Sequence, residues 1–478
     1  MARIGILNVR GAMPYYEELP FNILVDGPGI IKDLDLLILP PGTLVESQVL
    51  QRYGWVEKEV WEYVERGGFV VGVCSGTQLL SRAVNLNVKG LPGYSRGLGV
   101  LDIVFEPFIV TGPVRVRITR ESWATRGLEG LELRGWQAHT YGMMNVLSSD
   151  VQVVGVSRIS RYNYRNTEVN APTLVASRRY NVFGTMVHGI LGQGSPIMRN
   201  ILREVGIGDD EVANYYRNYR ERDWGNVVSG SAGSGMRGTR VLVVASTTTG
   251  EGKTLIASAL THCLNGAGYY VGIAKLAGDI RDLHPGLYIL NKPFKPWMSI
   301  RLRWGSRSLG WVGWREALRH AQGIGLDVLI VEGVMGLLTG SSRRYRRGFS
   351  STLDFIRLAG ADAVLMASAS LDGVEGALFR LGSYVNLLIR QGRKPLLTIL
   401  NNAYGGAHEK KLMRSFKERM GRLGIPFITI GSLPMSSKPE ELIDLEDYRE
   451  AAMEVSNILC NALINALGRS WPLWPGNH

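Results

Sequence analysis

At 478 residues the chain exceeds one ordinary domain and fits two of about two hundred residues each. Its 45% hydrophobic and 20% charged residues, with no uncharged apolar run of about 20 residues, exclude a disordered or fibrous chain and a transmembrane helix. Three cysteines (Cys74, Cys263 and Cys460) make no disulfide framework and point to a reducing, cytoplasmic setting, while the net charge of +12 is either a solvated basic surface or an attraction to polyanions, whether nucleic acid or ATP with a substrate carrying several carboxylates.

Residues 1–9 read as a first β-strand and not as a signal peptide. Residues 34–43 read as a buried strand ending in the turn that holds Gly42. Residues 47–65 have helical spacing, 68–74 form another apolar strand, and a helix begins at Gly76. This strand–helix alternation predicts a parallel, doubly wound α/β sheet.

Gly72-Val-Cys74-Ser-Gly76 joins the apolar strand to the helix. Small residues on both sides allow a tight turn that lifts the thiol off the sheet. The helix N-terminus favours a thiolate, and the Ser75 and Gly42 N–H groups are placed to receive an oxyanion. A cysteine nucleophile needs a base. His188 ends the apolar segment Asn181-Val-Phe-Gly-Thr-Met-Val and is the leading candidate. His139 is a second. No third orienting group can be named from the sequence.

These residues resemble the class I glutamine amidotransferase domain of cobyric acid synthases. The segments that carry the resemblance are Gly72-Val-Cys-Ser-Gly-Thr-Gln78, Gly135-Trp-Gln-Ala-His-Thr-Tyr-Gly142 and Gly184-Thr-Met-Val-His-Gly-Ile190, in that order. The resemblance implies that Cys74 forms a glutaminyl thioester, that His188 is its base and that His139 has a positioning role. Two departures stand out. Ser75 replaces a glycine, and Ile190 occupies the place of the glutamate in the usual glutaminase triad.

A Gly/Ser stretch at 226–237 has the composition of a flexible linker, which divides the chain into 1–225, 238–467 and a tail at 468–478. The second half restarts with a strand at 239–245. A helix follows at 253–265, and buried strands at 327–332, 361–367 and 395–401. Between the first strand and helix lie Ser246, Thr247, Thr248, Thr249, Gly250, Glu251, Gly252, Lys253 and Thr254. Strand, glycine-bearing loop and Lys-Thr at a helix start are what a phosphate loop requires: backbone N–H groups close on phosphate oxygens, Lys253 reaches the outer phosphates, and Thr254 holds Mg²⁺.

This half resembles the dethiobiotin synthetase class, and more closely the cobyrinic acid a,c-diamide synthases. The matching segments are the loop itself, Lys275-Leu-Ala-Gly-Asp279-Ile-Arg-Asp282, Lys295-Pro-Trp-Met298, Val331-Glu-Gly-Val-Met-Gly-Leu337 and residues 350–360. The resemblance implies a P-loop synthetase domain in which ATP turns a carboxylate into an acyl phosphate that ammonia then displaces. It implies Asp279 and Glu332 as Mg²⁺ ligands beside Thr254, Lys275 and Asp282 at the substrate, and Asn401 at the adenine base. Arg343, Arg344, Arg346 and Arg347 form a basic run after Glu332. They are either a solvated face or guanidinium forks for a polycarboxylate tetrapyrrole.

The expected function is therefore ATP- and glutamine-dependent amidation of a cobyrinic-acid-type corrinoid in cobalamin biosynthesis. L-Glutamine is the nitrogen donor, and no nucleic acid or membrane takes part. A homodimer is compatible with this reading. In the related synthases the synthetase comes first; here the order is reversed. The alternatives are another carboxylate acceptor, such as a nickel sirohydrochlorin or a cell-wall precursor, or a P-loop ATPase switch with an inactive glutaminase domain.

Overall fold

The computed structural model describes residues 1–87, 93–163, 165–225, 238–304, 307–340, 349–433 and 444–468. The expected linker at 226–237, the arginine run at 343–347 and the tail from 469 lie outside the described residues. The chain forms two compact units. The first comprises Met1–Val228, Asn291–Phe294 and Pro439–Glu446; the second comprises Ser229–Leu290, Lys295–Lys438 and Asp447–His478.

The main sheet of the first unit has nine strands: β1 (Ile4–Leu7), β2 (Ile23–Val25), β3 (Leu36–Leu39), β4 (Phe69–Val73), β5 (Val110–Ile118), β6 (Glu132–His139), β7 (Val151–Ile159), β8 (Val169–Ser177) and β9 (Val182–Thr185). Their spatial order is β2-β1-β3-β4-β9-β8-β7-β5-β6. The first five in that order pair in parallel. All four residues of β3 are fully buried, as suits a strand covered on both faces. Helix α1 (Gly54–Glu65) connects β3 to β4, and α2 (Ser75–Leu80) follows β4.

The remaining pairings are antiparallel. The expectation of a parallel, doubly wound sheet thus holds for one half of the sheet and must be corrected for the other. In β5, Val114, Val116 and Ile118 are buried while Arg115 and Arg117 are exposed, the alternation of a strand with one wet face.

The second unit is built on a seven-stranded sheet: β10 (Arg240–Ser246), β11 (Val271–Leu276), β12 (Ser299–Ile300), β13 (Val328–Glu332), β14 (Asp362–Ser368), β15 (Leu397–Asn401) and β16 (Phe427–Thr429). The order is β12-β11-β13-β10-β14-β15-β16, and every pairing is parallel. Leu242–Ala245, Val328–Val331 and Val364–Ala367 are all at 0% exposure, so these runs make the core. Helix α3 (Lys253–Gly266) follows β10, α4 (Gly373–Arg390) follows β14, and α5 (Leu445–Gly468) ends the described chain. Both units are α/β. Among the described residues no helix is long and apolar enough to cross a membrane.

Cys263 on α3 and Cys460 on α5 form a disulfide with a sequence separation of 197. This corrects the reading of the three cysteines as offering no disulfide, and it removes their number as an argument for a reducing compartment. Only Cys74 is a free thiol. Closing so long a loop restricts the unfolded chain by up to roughly 5 kcal/mol. Dithiothreitol should therefore lower the melting temperature of this unit by several degrees. A Cys263→Ser, Cys460→Ser double variant should melt at the lower temperature whether or not reductant is present. Melting curves unaffected by reductant would show that the bond adds no stability.

Candidate functional sites

In the first unit, parallel pairing of β4 with β9 sets Val73 beside Thr185, so the two strands end at the same edge of the sheet. Cys74 follows β4 at once, with φ 50° and ψ −110°. A positive φ is unusual for a residue with a side chain and marks a strained elbow. The elbow is pinned from both sides. The Cys74 N–H donates to the Thr185 carbonyl at 2.7 Å. The Thr77 hydroxyl donates to the same carbonyl at 2.9 Å and accepts from the Thr185 N–H at 3.0 Å. Gly76 is required because a Cβ there would lie 2.0 Å from the Leu39 carbonyl oxygen. Ser75 opens α2 and is buried. Gly42, in the turn after β3, bridges to Ala12 beside the neighbouring strand end.

His188 lies three residues beyond β9 and is 1% exposed. Its Nδ1 donates to Glu17 Oε1 at 2.6 Å, and the Gly189 N–H donates to Glu17 Oε2 at 2.6 Å. Both oxygens of a buried carboxylate are thus spent on fixing the ring and the backbone beside it. Burial by itself would lower the His188 pKa. The charges of Glu17 and Cys74 outweigh it and raise the pKa to about 10, so the ring is an imidazolium. Cys74 acts on the ring as both a charge and a hydrogen-bonding group, yet Nε2 makes no hydrogen bond of ordinary geometry. Such pairs commonly tighten only when substrate enters.

Aromatic rings enclose this pair. Trp136 stacks on His188 with centroids 5.7 Å apart, and Tyr16 meets it edge-on at 5.3 Å. Trp136 and His188 also exchange backbone hydrogen bonds, at 3.1 and 2.8 Å. Gly189 has φ +78°, and a Cβ there would lie 2.1 Å from the Trp136 ring. Phe294, in the Asn291–Phe294 segment of the same unit, stacks on Tyr16 at 6.0 Å. His139 is engaged elsewhere: its Nδ1 is 3.0 Å from the Phe108 carbonyl oxygen.

Glu17, Tyr16 and Phe294 were missed by sequence reasoning. Glu17 lies 171 residues from His188. Its only local signal is its place in the buried run Tyr15-Tyr16-Glu17. Ile190, at the position of the usual triad glutamate, is buried and apolar. The carboxylate comes instead from the other end of the domain.

In the second unit, Ser246–Gly252 link β10 to α3. The Lys253 Nζ is buried and donates to Ser246 Oγ at 2.9 Å. Burial and the nearby Lys275 charge lower its pKa, against the pull of Glu332, Asp282 and Glu251. Among the described residues no carboxylate lies within ion-pair distance of Lys253, so its charge is available to an incoming anion.

Lys275 on β11 and Glu332 on β13 sit side by side in register. Lys275 Nζ is 2.6 Å from both Glu332 Oε1 and Asp282 Oδ2. Burial opposes its charge, but the two carboxylates more than compensate and hold it protonated. Burial pushes the Glu332 carboxyl up to about 7, against the pull of Lys275. The Thr254 hydroxyl donates to Glu332 Oε1 at 3.1 Å, and Glu332 Oε2 is buried without a hydrogen-bond partner among the described residues.

The sequence reading grouped Asp279 with Thr254 and Glu332. The structure joins Thr254 to Glu332 but gives both oxygens of Asp279 to Arg281, at 2.9 and 2.6 Å. Asp282 is the acid that meets Lys275. Among the described residues no group of three His, Cys, Asp or Glu side chains is arranged to hold a metal. Asn401 is 5% exposed and donates from Nδ2 to the Glu251 carbonyl at 3.0 Å, so it touches the Ser246–Thr254 loop itself.

Residues 17–196 match the family model of the CobB/CobQ-like glutamine amidotransferase domain. A cobyric acid synthase of Caulobacter sp. is 40% identical over 90 residues, 18% of this chain and 18% of that protein. One from Caldanaerobacter subterraneus is 28% identical over 206 residues, 41% of this chain and 39% of that protein. The chain thus spans about two fifths or less of the length of these curated relatives. The family model spans Cys74, His139 and His188, and the names of the relatives agree with the resemblance to cobyric acid synthases. Among solved structures, a glutamine amidotransferase from Methylobacillus flagellatus is 14% identical, covering 42% of this chain and 75% of its own, with a TM-score of 0.27. MinD cell division protein from Aquifex aeolicus is 16% identical, covering 49% of this chain and 100% of its own, with a TM-score of 0.30. At these scores neither bears on the fold, which stands on the strand orders given above.

Proposed function

We propose that the chain is a glutamine- and ATP-dependent amide-forming enzyme whose acceptor is a carboxylate of a cobyrinic-acid-type corrinoid. The observation that carries the reading is the buried Glu17–His188–Cys74 array in a chain that also holds a glycine-bearing strand–helix loop whose buried Lys253 bonds to Ser246 and, among the described residues, meets no carboxylate. The names of the curated relatives support the choice of acceptor.

In the first unit the Cys74 sulfur attacks the carboxamide carbon of glutamine. The oxyanion forms toward the N–H groups of Ser75 and Gly42. The imidazolium of His188 gives its proton to the departing nitrogen, which leaves as ammonia and breaks the C–N bond. Glu17 holds the ring in place and stabilises its charge throughout. Water then attacks the thioester, with His188 taking its proton. Glutamate leaves and the cysteine is restored.

In the second unit the loop amides, Lys253 and Thr254 receive the triphosphate. An acceptor carboxylate oxygen attacks the γ-phosphorus, ADP departs, and ammonia displaces phosphate from the acyl phosphate to give the amide. Lys253 and Lys275 offset the charge that develops during the transfer. Glu332 Oε2, which has no hydrogen-bond partner among the described residues and lies beside the Thr254 hydroxyl, fits a divalent cation, which would supply charge neutralisation on the phosphates.

The test is amidation itself. The protein is incubated with ATP, Mg²⁺, and either glutamine or ammonium salt, across cobyrinic acid, nickel sirohydrochlorin and a cell-wall precursor. Conversion of carboxyl to carboxamide is read by mass spectrometry. The reading requires amidation of cobyrinic acid or its partly amidated forms, with either nitrogen donor and only with ATP. Amidation of another acceptor alone would keep the chemistry and replace the substrate. Glutamine hydrolysis with no amidation of any acceptor would defeat the synthetase half of the proposal.

A further inference from the structure

The phosphate loop contains an acid. Glu251 lies two residues before Lys253, and its side chain is 0% exposed. A buried carboxylate in a loop shaped for a polyanion is unfavourable on two counts, desolvation and repulsion of the ligand, unless it is paired and fully hydrogen-bonded. Here it is both. It accepts from the Thr247 hydroxyl at 2.9 Å and the Thr248 N–H at 3.0 Å, on the opposite limb of the loop. It also accepts from the Ser368 N–H at the end of β14 at 3.1 Å. The fourth partner is Arg380 on α4, whose guanidinium lies 3.1 Å from Glu251 Oε1.

Arg380 reaches the same places as its partner. It donates to Thr247 Oγ1 at 3.1 Å and to the Ser368 carbonyl at 3.1 Å, and it pairs with Asp372. The carboxylate therefore ties the two limbs of the loop together, and the arginine ties both to the strand end and helix behind. Asn401 donates to the backbone carbonyl of Glu251 and so connects a third element, β15, to the same residue.

We propose that Glu251 and Arg380 form a charge-compensated strut that holds the phosphate loop open for nucleotide, with Arg380 the positioning residue that makes an acid tolerable there. The inference rests on the reading of Ser246–Thr254 as a nucleotide site. Removing the arginine charge leaves a buried anion next to the triphosphate. Removing both charges while keeping amide groups of similar shape leaves the loop neutral.

The experiment is calorimetric titration of the full-length protein with MgATP and with adenosine, for wild type, Arg380→Gln, Glu251→Gln/Arg380→Gln and Arg380→Lys, each checked by thermal melting. Arg380→Gln is expected to weaken ATP binding at least tenfold and adenosine binding less than threefold, because the effect acts on phosphate charge. The double variant is expected to recover most of the ATP affinity. Arg380→Lys, which keeps the charge, is expected to stay within about threefold of wild type and serves if Arg380→Gln does not fold. The strut is overturned if Arg380→Gln binds ATP as wild type does, if ATP and adenosine weaken equally, if the double variant is no better than the single, or if Arg380→Lys loses tenfold. Failure of the wild type to bind ATP would instead overturn the nucleotide site itself.

Discussion

Glu17→Gln will slow glutamine hydrolysis by about 10²- to 10⁴-fold, the range lost when a general acid–base histidine is no longer correctly held. A glutamine can present its NH₂ group to His188 Nδ1, where the carboxylate now accepts at 2.6 Å. The ring must then accept at that nitrogen and loses the charge that stabilised its protonated form. The pH dependence gives a second readout. The His188 pKa is raised to about 10 by Glu17 and Cys74 acting against burial, so the imidazolium persists at neutral pH and is lost as pH rises through that value. Without Glu17 the alkaline fall in activity should move to lower pH. Because the folded pKa is raised, the stability that the pair contributes is full below about pH 6.5 and fades as pH climbs towards 10. The melting difference between variant and wild type should therefore be largest in mild acid. A variant within threefold of wild type, with its alkaline limb unmoved, would remove Glu17 from the mechanism.

Lys253→Ala is expected to reduce amidation at least about 10²-fold, in keeping with loss of a group that stabilises charge in the transition state. The loss should be the same with glutamine as with ammonium, because the step affected precedes use of the nitrogen. The structural reason is that this buried ammonium is bonded to Ser246 Oγ while the neighbouring Lys275 takes both nearby carboxylates, Glu332 and Asp282. Lys253 is left with charge to give to a phosphate. Comparing rates with the two donors at saturating acceptor checks the point. A near-normal rate with ammonium would show that the loop does not serve phosphoryl transfer.

What could be read from the sequence was local. Cys74 stands where an apolar strand meets a helix between two glycines, and Lys253 where another does after a glycine-bearing loop. Such junctions are written in a few consecutive residues. The meeting of Cys74 with His188 followed because each ends a strand, and parallel neighbours end on the same edge. Glu17 could not be read in this way, since its bond to His188 spans 171 residues and depends on the course of the chain between β1 and β2. That Asp279 turns to Arg281 and away from Thr254 and Glu332 depends on a single short 3-10 helix, Ile280–Leu283, for which Asp279 is the N-cap. The antiparallel half of the first sheet is written only in the alternation from Val114 to Ile118, a weaker signal than the continuous apolar runs at the N-terminus. The disulfide had no sequence signal, because two cysteines on distant helices look the same whether paired or free.

That disulfide also makes part of the second unit a covalent ring. Every strand of its sheet except Arg240–Ser246 lies between Cys263 and Cys460. A protease that cuts once inside the ring opens it without releasing a fragment, and the cut chain migrates as one species until a reductant is added. The Ser246–Thr254 loop and Cys74 both lie on the N-terminal side of the ring, so after such a cut they stay joined by peptide bonds to the strands before the cut and by sulfur alone to the strands after it.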